Sequence, residues 1–97
     1  MELGLVYDTQ KYYVIPGIKN YYLTPNAQMM RFSKSFTPVF QTLIPNEGKR
    51  VFIINGETHY VHDLLARVFI PGWCAESTVR HIDGNTLNNG LHNLSLD

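Results

Sequence analysis

We predict an α+β fold made of small antiparallel β-hairpins and one short helix, and three features of the chain predict it. Asn55-Gly56 is a two-residue hairpin turn signal between two runs of β-forming residues. Over Val61 to Phe69 the hydrophobic residues recur at helical spacing and no longer alternate. Asp83-Gly84 marks another tight turn near the end of the sequence, because Gly accepts positive φ and Asp bonds its own backbone.

The first third of the chain predicts short strands separated by turn residues. Strong β-formers fill Lys11 to Ile15, and Pro16-Gly17 ends this strand. Two further strands are predicted at residues 20–23 and 28–32, on either side of a turn at residues 24–27. A polar connection at residues 33–38 then leads into the middle of the chain.

The middle of the chain predicts a three-stranded meander followed by the helix. We expect a hairpin of Val39 to Ile44 with Lys49 to Ile54, turning at Pro45 to Gly48, and then a third strand at Glu57 to Tyr60. The helical stripe that follows is ended by Pro71-Gly72.

Composition indicates one globular domain without a bulk positive field. The 97 residues suffice for a single domain, and 44% of them are hydrophobic. Lys plus Arg total 8 and Asp plus Glu total 8, whereas proteins that hold a duplex by its phosphates usually carry a basic excess. This balance favours a protein partner and leaves DNA as a weaker alternative. No run approaches the roughly 18 apolar residues of a membrane span, so we expect no membrane partner.

Cysteine usage excludes two kinds of site. Cys74 is the sole cysteine, so an internal disulfide and a cysteine-based zinc site are both excluded. A single free thiol fits a reducing compartment.

The segment from Thr78 to Leu96 carries the most informative motif. An apolar-flanked strand leads into His81, the Asp83-Gly84 turn follows, and a loop rich in asparagine precedes a second short apolar run. Asparagine side chains can bond backbone groups of an irregular loop that no strand pairing satisfies. The residues of the motif are Asp83, Gly84, Asn85, Asn88, Asn89 and Asn93.

This segment resembles the HNH endonuclease family, and within it the homing endonucleases of bacteriophages. Ile82 to Asn85, Asn88-Asn89 and Asn93-Leu94 match the family pattern in register. The resemblance implies that His81 is the general base if the protein is active, and that Asn93 has a mainly structural role. It also implies a viral protein found in the cytoplasm of an infected bacterial host or in the virion.

Two earlier segments extend the resemblance over most of the chain. Residues 12–33 are similar to the small β module that precedes the HNH motif in phage homing endonucleases. Residues 61–71 are similar to the helix that leads into the HNH motif in the same proteins. We therefore divide the single domain, residues 1–97, into a β module at about 12–33, hairpins and helix at about 38–70, and the HNH-like motif at 78–96.

Two departures from the family pattern predict that catalysis is lost. Arg80 stands where the family has an Asp or Asn that binds the catalytic divalent ion, and a guanidinium cannot ligate a metal. The family motif continues into a helix that supplies the other ligand, whereas this sequence ends at Asp97. We expect an incomplete ββα-metal motif without a metal cofactor, and a binding, accessory or structural role.

Other roles remain open at this stage. An active DNA-nicking endonuclease would use Mg²⁺ or Mn²⁺ and would need substitute ligands such as Asp83 or His92, and a non-catalytic nucleic-acid-binding module is a second alternative. His59 and His62 could join His81 in a metal site, although hydrogen bonding to the asparagine loop is the simpler expectation. Arg80 is either a contact to an anion or a partner, or a neutral substitution. Candidate contacts to nucleic acid or a partner are Arg80, Arg31, Lys34, Lys49 and Arg50.

Overall fold

The computed structural model describes residues 1–35, 37–41, 44–46 and 48–97, and of Asn46 it describes the backbone alone. Four residues that enter the predictions above lie outside this part. Phe36 belongs to the predicted polar connection, Thr42 and Leu43 to a predicted strand, and Glu47 to a predicted turn. The α+β class with antiparallel strands and a single short helix is confirmed for the described residues.

The first half of the chain forms a five-stranded antiparallel sheet whose strands follow chain order. Its strands are β1 (Leu3–Tyr7), β2 (Gln10–Ile15), β3 (Ile18–Leu23), β4 (Met29–Phe32) and β5 (Pro38–Phe40). The sheet is thus wider than the β module predicted at residues 12–33, because β1 and β5 were not assigned to it.

A second sheet of three strands contains the predicted meander. Its strands are β6 (Ile44–Asn46), β7 (Lys49–Ile54) and β8 (Glu57–Tyr60), with β7 in the middle. The turn between β7 and β8 is the predicted one, and both of its central residues have positive φ, 51° at Asn55 and 80° at Gly56. This geometry matches the twist of the flanking strands, which is why Asn-Gly is favoured there.

The prediction of one continuous strand over Val39 to Ile44 is wrong in its pairing. Val39 and Phe40 pair with β4 in the first sheet, opposite Arg31 and Met30, whereas Ile44 belongs to the second sheet. Pro45, expected in the turn, lies in β6 opposite Arg50. A proline is tolerated there because β6 is an edge strand, whose outer side needs no amide donor.

The helix α1 (Val61–Phe69) lies at the centre of the molecule and matches the predicted bounds. It contacts β2 of the first sheet, β7 and β8 of the second, and the terminal hairpin. Its apolar face buries Val61, Leu64, Leu65 and Val68. Nine residues of helix are too few to cross a bilayer, and the described part of the chain has no longer apolar helix.

A third, two-stranded sheet ends the chain. Strands β9 (Val79–His81) and β10 (Leu94–Leu96) are antiparallel, and one turn of 3₁₀-helix at Leu91–Asn93 leads into β10. Leu94 is 6% exposed and belongs to the same core as the helix residues, so the hairpin is packed against α1.

Candidate functional site

The site is built on the β9–β10 hairpin and the loop that joins its strands. His81 pairs with Leu94, and the pairing continues one step beyond the strands, where the Ile82 amide donates to the Asn93 carbonyl at 2.8 Å. The loop reverses at Gly84, whose amide donates to the His81 carbonyl at 3.0 Å and whose φ is 76°. The predicted Asp-Gly turn is therefore present, and the hairpin fixes where His81 and Asn93 begin and end the loop.

Four loop residues form one hydrogen-bonded set, which we call the Asp83 network: Asp83, Asn88 and Asn93 through their side chains and Asn85 through its backbone amide. Asn93 is only 5% exposed, and its Nδ2 donates to Asp83 Oδ1 and to the Asn88 carbonyl, each at 2.9 Å. Its Oδ1 accepts from the Asp83 amide at 3.1 Å. Asn93 thus satisfies three groups at once and ties the two ends of the loop together.

The Asp83 carboxylate accepts hydrogen bonds at both oxygens. Asn88 Nδ2 donates to Oδ2 at 3.0 Å, and the Asn85 amide donates to Oδ1 at 2.8 Å beside the bond from Asn93. The bonds from Asn88, Asn85 and Asn93 lower the pKa of Asp83 from 3.8 to about 2, because each stabilises the charged form. Asp83 is therefore an anion across the physiological range and anchors the loop.

His81 lies at the end of a row of side chains that we call the His81 stack: Lys49, Tyr60, His62 and His81. His81 Nε2 is 2.8 Å from Asn89 Oδ1. An amide oxygen can only accept, so Nε2 is the donor in this bond. The His81 and His62 rings are 4.9 Å apart between centroids and inclined at 72° to each other.

The remainder of the His81 stack continues into the second sheet. His62 is stacked on Tyr60 at 5.4 Å and 19°, and Lys49 Nζ lies 5.0 Å from the centre of the Tyr60 ring. Burial lowers the pKa of His62, and the charges of His81 and Lys49 act in the same direction against the opposing effect of Asp63. His62 is therefore a buried ring that is neutral at pH 7 and packs against the ring of His81.

Arg80 lies on the face of β9 opposite to that of His81. Successive side chains of a strand project from opposite faces, and Arg80 is exposed whereas His81 is half-buried. Arg80 Nε lies 3.2 Å from Asp97 Oδ1, in a pair whose side chains are 60% and 48% exposed. The guanidinium thus belongs to the outer face of the hairpin.

The other candidate basic residues fall on two sheets. Arg31 is in β4 and Lys34 in the turn after it, within the first sheet, whereas Lys49 and Arg50 are in β7. Lys49 joins the His81 stack, and Arg50 borders a cleft of about 540 Å³ that also contacts the asparagine loop. The structure thus associates two of the four residues with the site.

The candidate metal ligands are either engaged in contacts within the loop or dispersed over the structure. Both oxygens of Asp83 and Nε2 of His81 are already bonded within the loop. Of the other candidate ligands, His59 lies 3.7 Å from Glu57, and His92 is exposed. Within the described ranges, no group of three or more His, Cys, Asp and Glu residues comes close enough to hold a metal ion.

Two kinds of contact that position the site were not expected from the sequence. His62 lies beside His81, as one alternative had it, but the rings meet in an aromatic contact, and the part that Tyr60 takes in the His81 stack was not expected. Thr86 Oγ1 donates to the Gly48 carbonyl at 2.6 Å and ties the loop to the second sheet. Both contacts join distant segments, and no local pattern encodes them.

Comparisons of the chain with protein-family models, with curated proteins and with solved structures find no match.

Proposed function

We propose that this protein is a non-catalytic relative of the phage HNH endonucleases that acts by binding another protein. The observation that carries the proposal is the mutual satisfaction of the motif's polar groups. Asn89 Oδ1 accepts a hydrogen bond from His81 Nε2, and three asparagines donate to the carboxylate of Asp83. With Nε2 and both Asp83 oxygens engaged, His81 offers one remaining ring nitrogen, and a single imidazole nitrogen without a second ligand beside it does not assemble a metal-dependent site.

Arg80 supports the loss of chemistry from a different direction. At the position where the resemblance implies an oxygen ligand, the side chain is a permanent cation with donors only. It is also bound to Asp97 on the outer face of the hairpin. One-metal phosphodiester cleavage needs an ion to stabilise the leaving oxygen, and His81 alone cannot supply that charge.

Exposed apolar side chains on the same loop support a protein partner. Ile82 is 55% exposed and Leu87 is 47% exposed, on either side of the Asp83-Gly84 turn. The loop is held by internal hydrogen bonds and exposes apolar side chains among polar residues. Protein interfaces have a similar composition, with an apolar centre and a polar rim. The net charge of zero also favours a protein over the phosphates of a duplex.

A plasmid-nicking assay with Mg²⁺ or Mn²⁺ tests the absence of catalysis. The purified chain and its His81→Ala variant should leave supercoiled plasmid equally intact, since neither assembles a metal site. Nicking by the unaltered chain that His81→Ala abolishes would overturn the proposal in favour of an active endonuclease.

Site-specific photo-crosslinking tests the protein partner. A photoreactive residue at Leu87 should give a discrete protein adduct in cells that produce the protein, and the same residue at the exposed Lys19 in β3 should not. Equal labelling from both positions would contradict a specific interface on the loop.

Nucleic acid is tested as the competing partner by fluorescence anisotropy with labelled DNA over a range of salt concentrations. Lys49 in the His81 stack and Arg50 at the cleft beside the loop are cations that could contact phosphates. Binding near physiological salt that falls steeply as salt rises would show phosphate contacts and contradict the proposed preference for protein. No measurable binding is the expected result.

A further inference from the structure

The first sheet carries a cleft, separate from the HNH-like loop, that is walled by aromatic rings. We call it the aromatic cleft, and the residues that define it here are Tyr7, Asp8, Tyr12, Met29 and Phe40. Its volume of about 390 Å³ lies within the range of small-molecule sites in proteins. It is formed by β1, β2, β4 and β5 and shares no residue with the Asp83 network or the His81 stack.

The rings form a concave wall. The Tyr7 and Phe40 rings are 5.7 Å apart between centroids and tilted by 58°, so their faces are not packed flat against each other. Tyr7 is 41% exposed and Phe40 is 52% exposed, whereas Tyr12 and Met29 are only 3% and 1% exposed. The cleft thus has a buried inner part and an accessible aromatic rim.

The cleft has a negative character. Asp8 is the sole charged residue among those that line it. Burial raises the pKa of Tyr12, and the carboxylate of Asp8 raises it further, so this charge reaches the inner part of the cleft. The faces of the aromatic rings are also negative, because of their quadrupole.

We propose that the aromatic cleft binds an alkylated ammonium group, such as that of a small quaternary ammonium compound or a trimethylated lysine. A cation attracted to ring faces and to a carboxylate is the ligand class that complements both features of the site. An alkylated ammonium fits better than a bare one, because it forms no strong hydrogen bonds with water that the rings would have to replace.

The side chains around the rings suit a ligand with a polar remainder. Gln10, Gln28 and Gln41 also line the cleft and bring amide groups that can donate and accept. A trimethylammonium group alone does not fill about 390 Å³, so these amides would contact the rest of the ligand. The inference is independent of the proposed function, because no residue of the loop takes part.

A matched pair of probes tests the inference. Choline and its uncharged carbon analogue 3,3-dimethyl-1-butanol have the same shape, so a difference in binding between them reports the charge. Titrations followed by protein NMR should show saturable shifts of the Tyr7 and Phe40 signals with choline in the millimolar range or tighter. The analogue should bind at least about 5-fold to 30-fold more weakly, because it loses the cation–π attraction of two rings and the attraction to Asp8 as well.

Three variants locate the binding. Phe40→Leu should weaken choline binding several-fold, and Asp8→Asn should weaken it and reduce its salt dependence. Asp8→Asn should leave the fold intact, because Asp8 is exposed in a turn at a φ of 49° and Asn adopts positive φ readily. Phe32→Leu is the matched control, because Phe32 is an exposed ring of the same sheet that contacts Tyr22 outside the cleft.

The outcomes separate clearly. Equal binding of choline and its analogue, no saturable binding of choline, or equal losses in Phe40→Leu and Phe32→Leu would each overturn the proposal. Tighter binding of a trimethyllysine peptide than of choline would identify a ligand carried by a protein. Tighter binding of choline than of the peptide would identify a free small molecule. Loss of choline binding would leave the nicking and crosslinking results unaffected, so the two proposals fail separately.

Discussion

Removing the Asn93 side chain is the most informative single perturbation of the loop. The side chain is buried and makes three hydrogen bonds, two from Nδ2 and one to Oδ1. A hydrogen bond contributes about 1 kcal/mol net, so three give about 3 kcal/mol. Asp83 is exposed, so water can replace part of the hydrogen bonding that Asp83 loses when the Asn93 side chain is removed. We therefore expect Asn93→Ala to lower the free energy of unfolding by about 2–3 kcal/mol.

Urea unfolding followed by circular dichroism measures this change. The matched control is Asn26→Ala, at an exposed turn position in the first sheet, which should change stability by less than about 0.5 kcal/mol. A loss in Asn93→Ala that is no larger than in Asn26→Ala would refute the reasoning, because the Asp83 network would then contribute nothing to the fold.

Three further predictions concern the helix and the titrating groups. The unaltered protein should lose stability as pH falls below 6.5, because burial lowers the pKa of His62 in the folded state and the unfolded chain therefore takes up the proton first. His62→Phe should remove this loss. Denaturant unfolding at several pH values measures the effect, and an unchanged pH dependence in the variant would contradict it. Leu65→Ala should cost about 2–5 kcal/mol, because Leu65 is fully buried in α1, whereas Leu87→Ala at a 47% exposed position should cost little; equal urea midpoints for the two would contradict the core assignment. The NMR signal of the Asp83 carboxyl group should titrate near pH 2. The carboxylate should stabilise the fold fully above pH 3.8, and this stabilisation should be lost as pH falls through about 2. A titration midpoint near 3.8 would show that the hydrogen bonds to the carboxylate are not formed.

The helix and the loop turn were predictable because their signals are local. Val61 to Phe69 combines helical spacing with a following Pro71-Gly72, and the observed bounds are the predicted ones. Asp83-Gly84 gives a turn through the positive φ of Gly84 and the bond from the Asn85 amide to Asp83. In both cases a few neighbouring residues determine the backbone.

The parts of the fold that were missed either lack a local signal or depend on which strand a segment pairs with. β1 is short and almost entirely exposed, and its turn to β2 uses Asp8-Thr9, with a β-branched residue at a φ of 65°, so neither burial pattern nor turn chemistry marks it. Val39 and Phe40 have strand propensity, but propensity does not say which sheet they join.

Sequence reasoning about the site was limited in the same way. The asparagine loop could be expected to bond internally, and the Asp83 network does so. The direction of Arg80 depends on its register in β9, which the motif alone does not reveal. The contact of His81 with His62 requires α1 and β9 to pack against each other, which only the folded chain shows.

The central claim is that the polar groups around His81 are occupied by one another and bind no divalent ion. Paramagnetic broadening by Mn²⁺ tests it most directly, by following the NMR signals of His81 and Asp83 during a titration. We predict no selective broadening of these signals relative to other exposed residues. Saturable broadening centred on His81, accompanied by nicking of plasmid DNA, would contradict the claim.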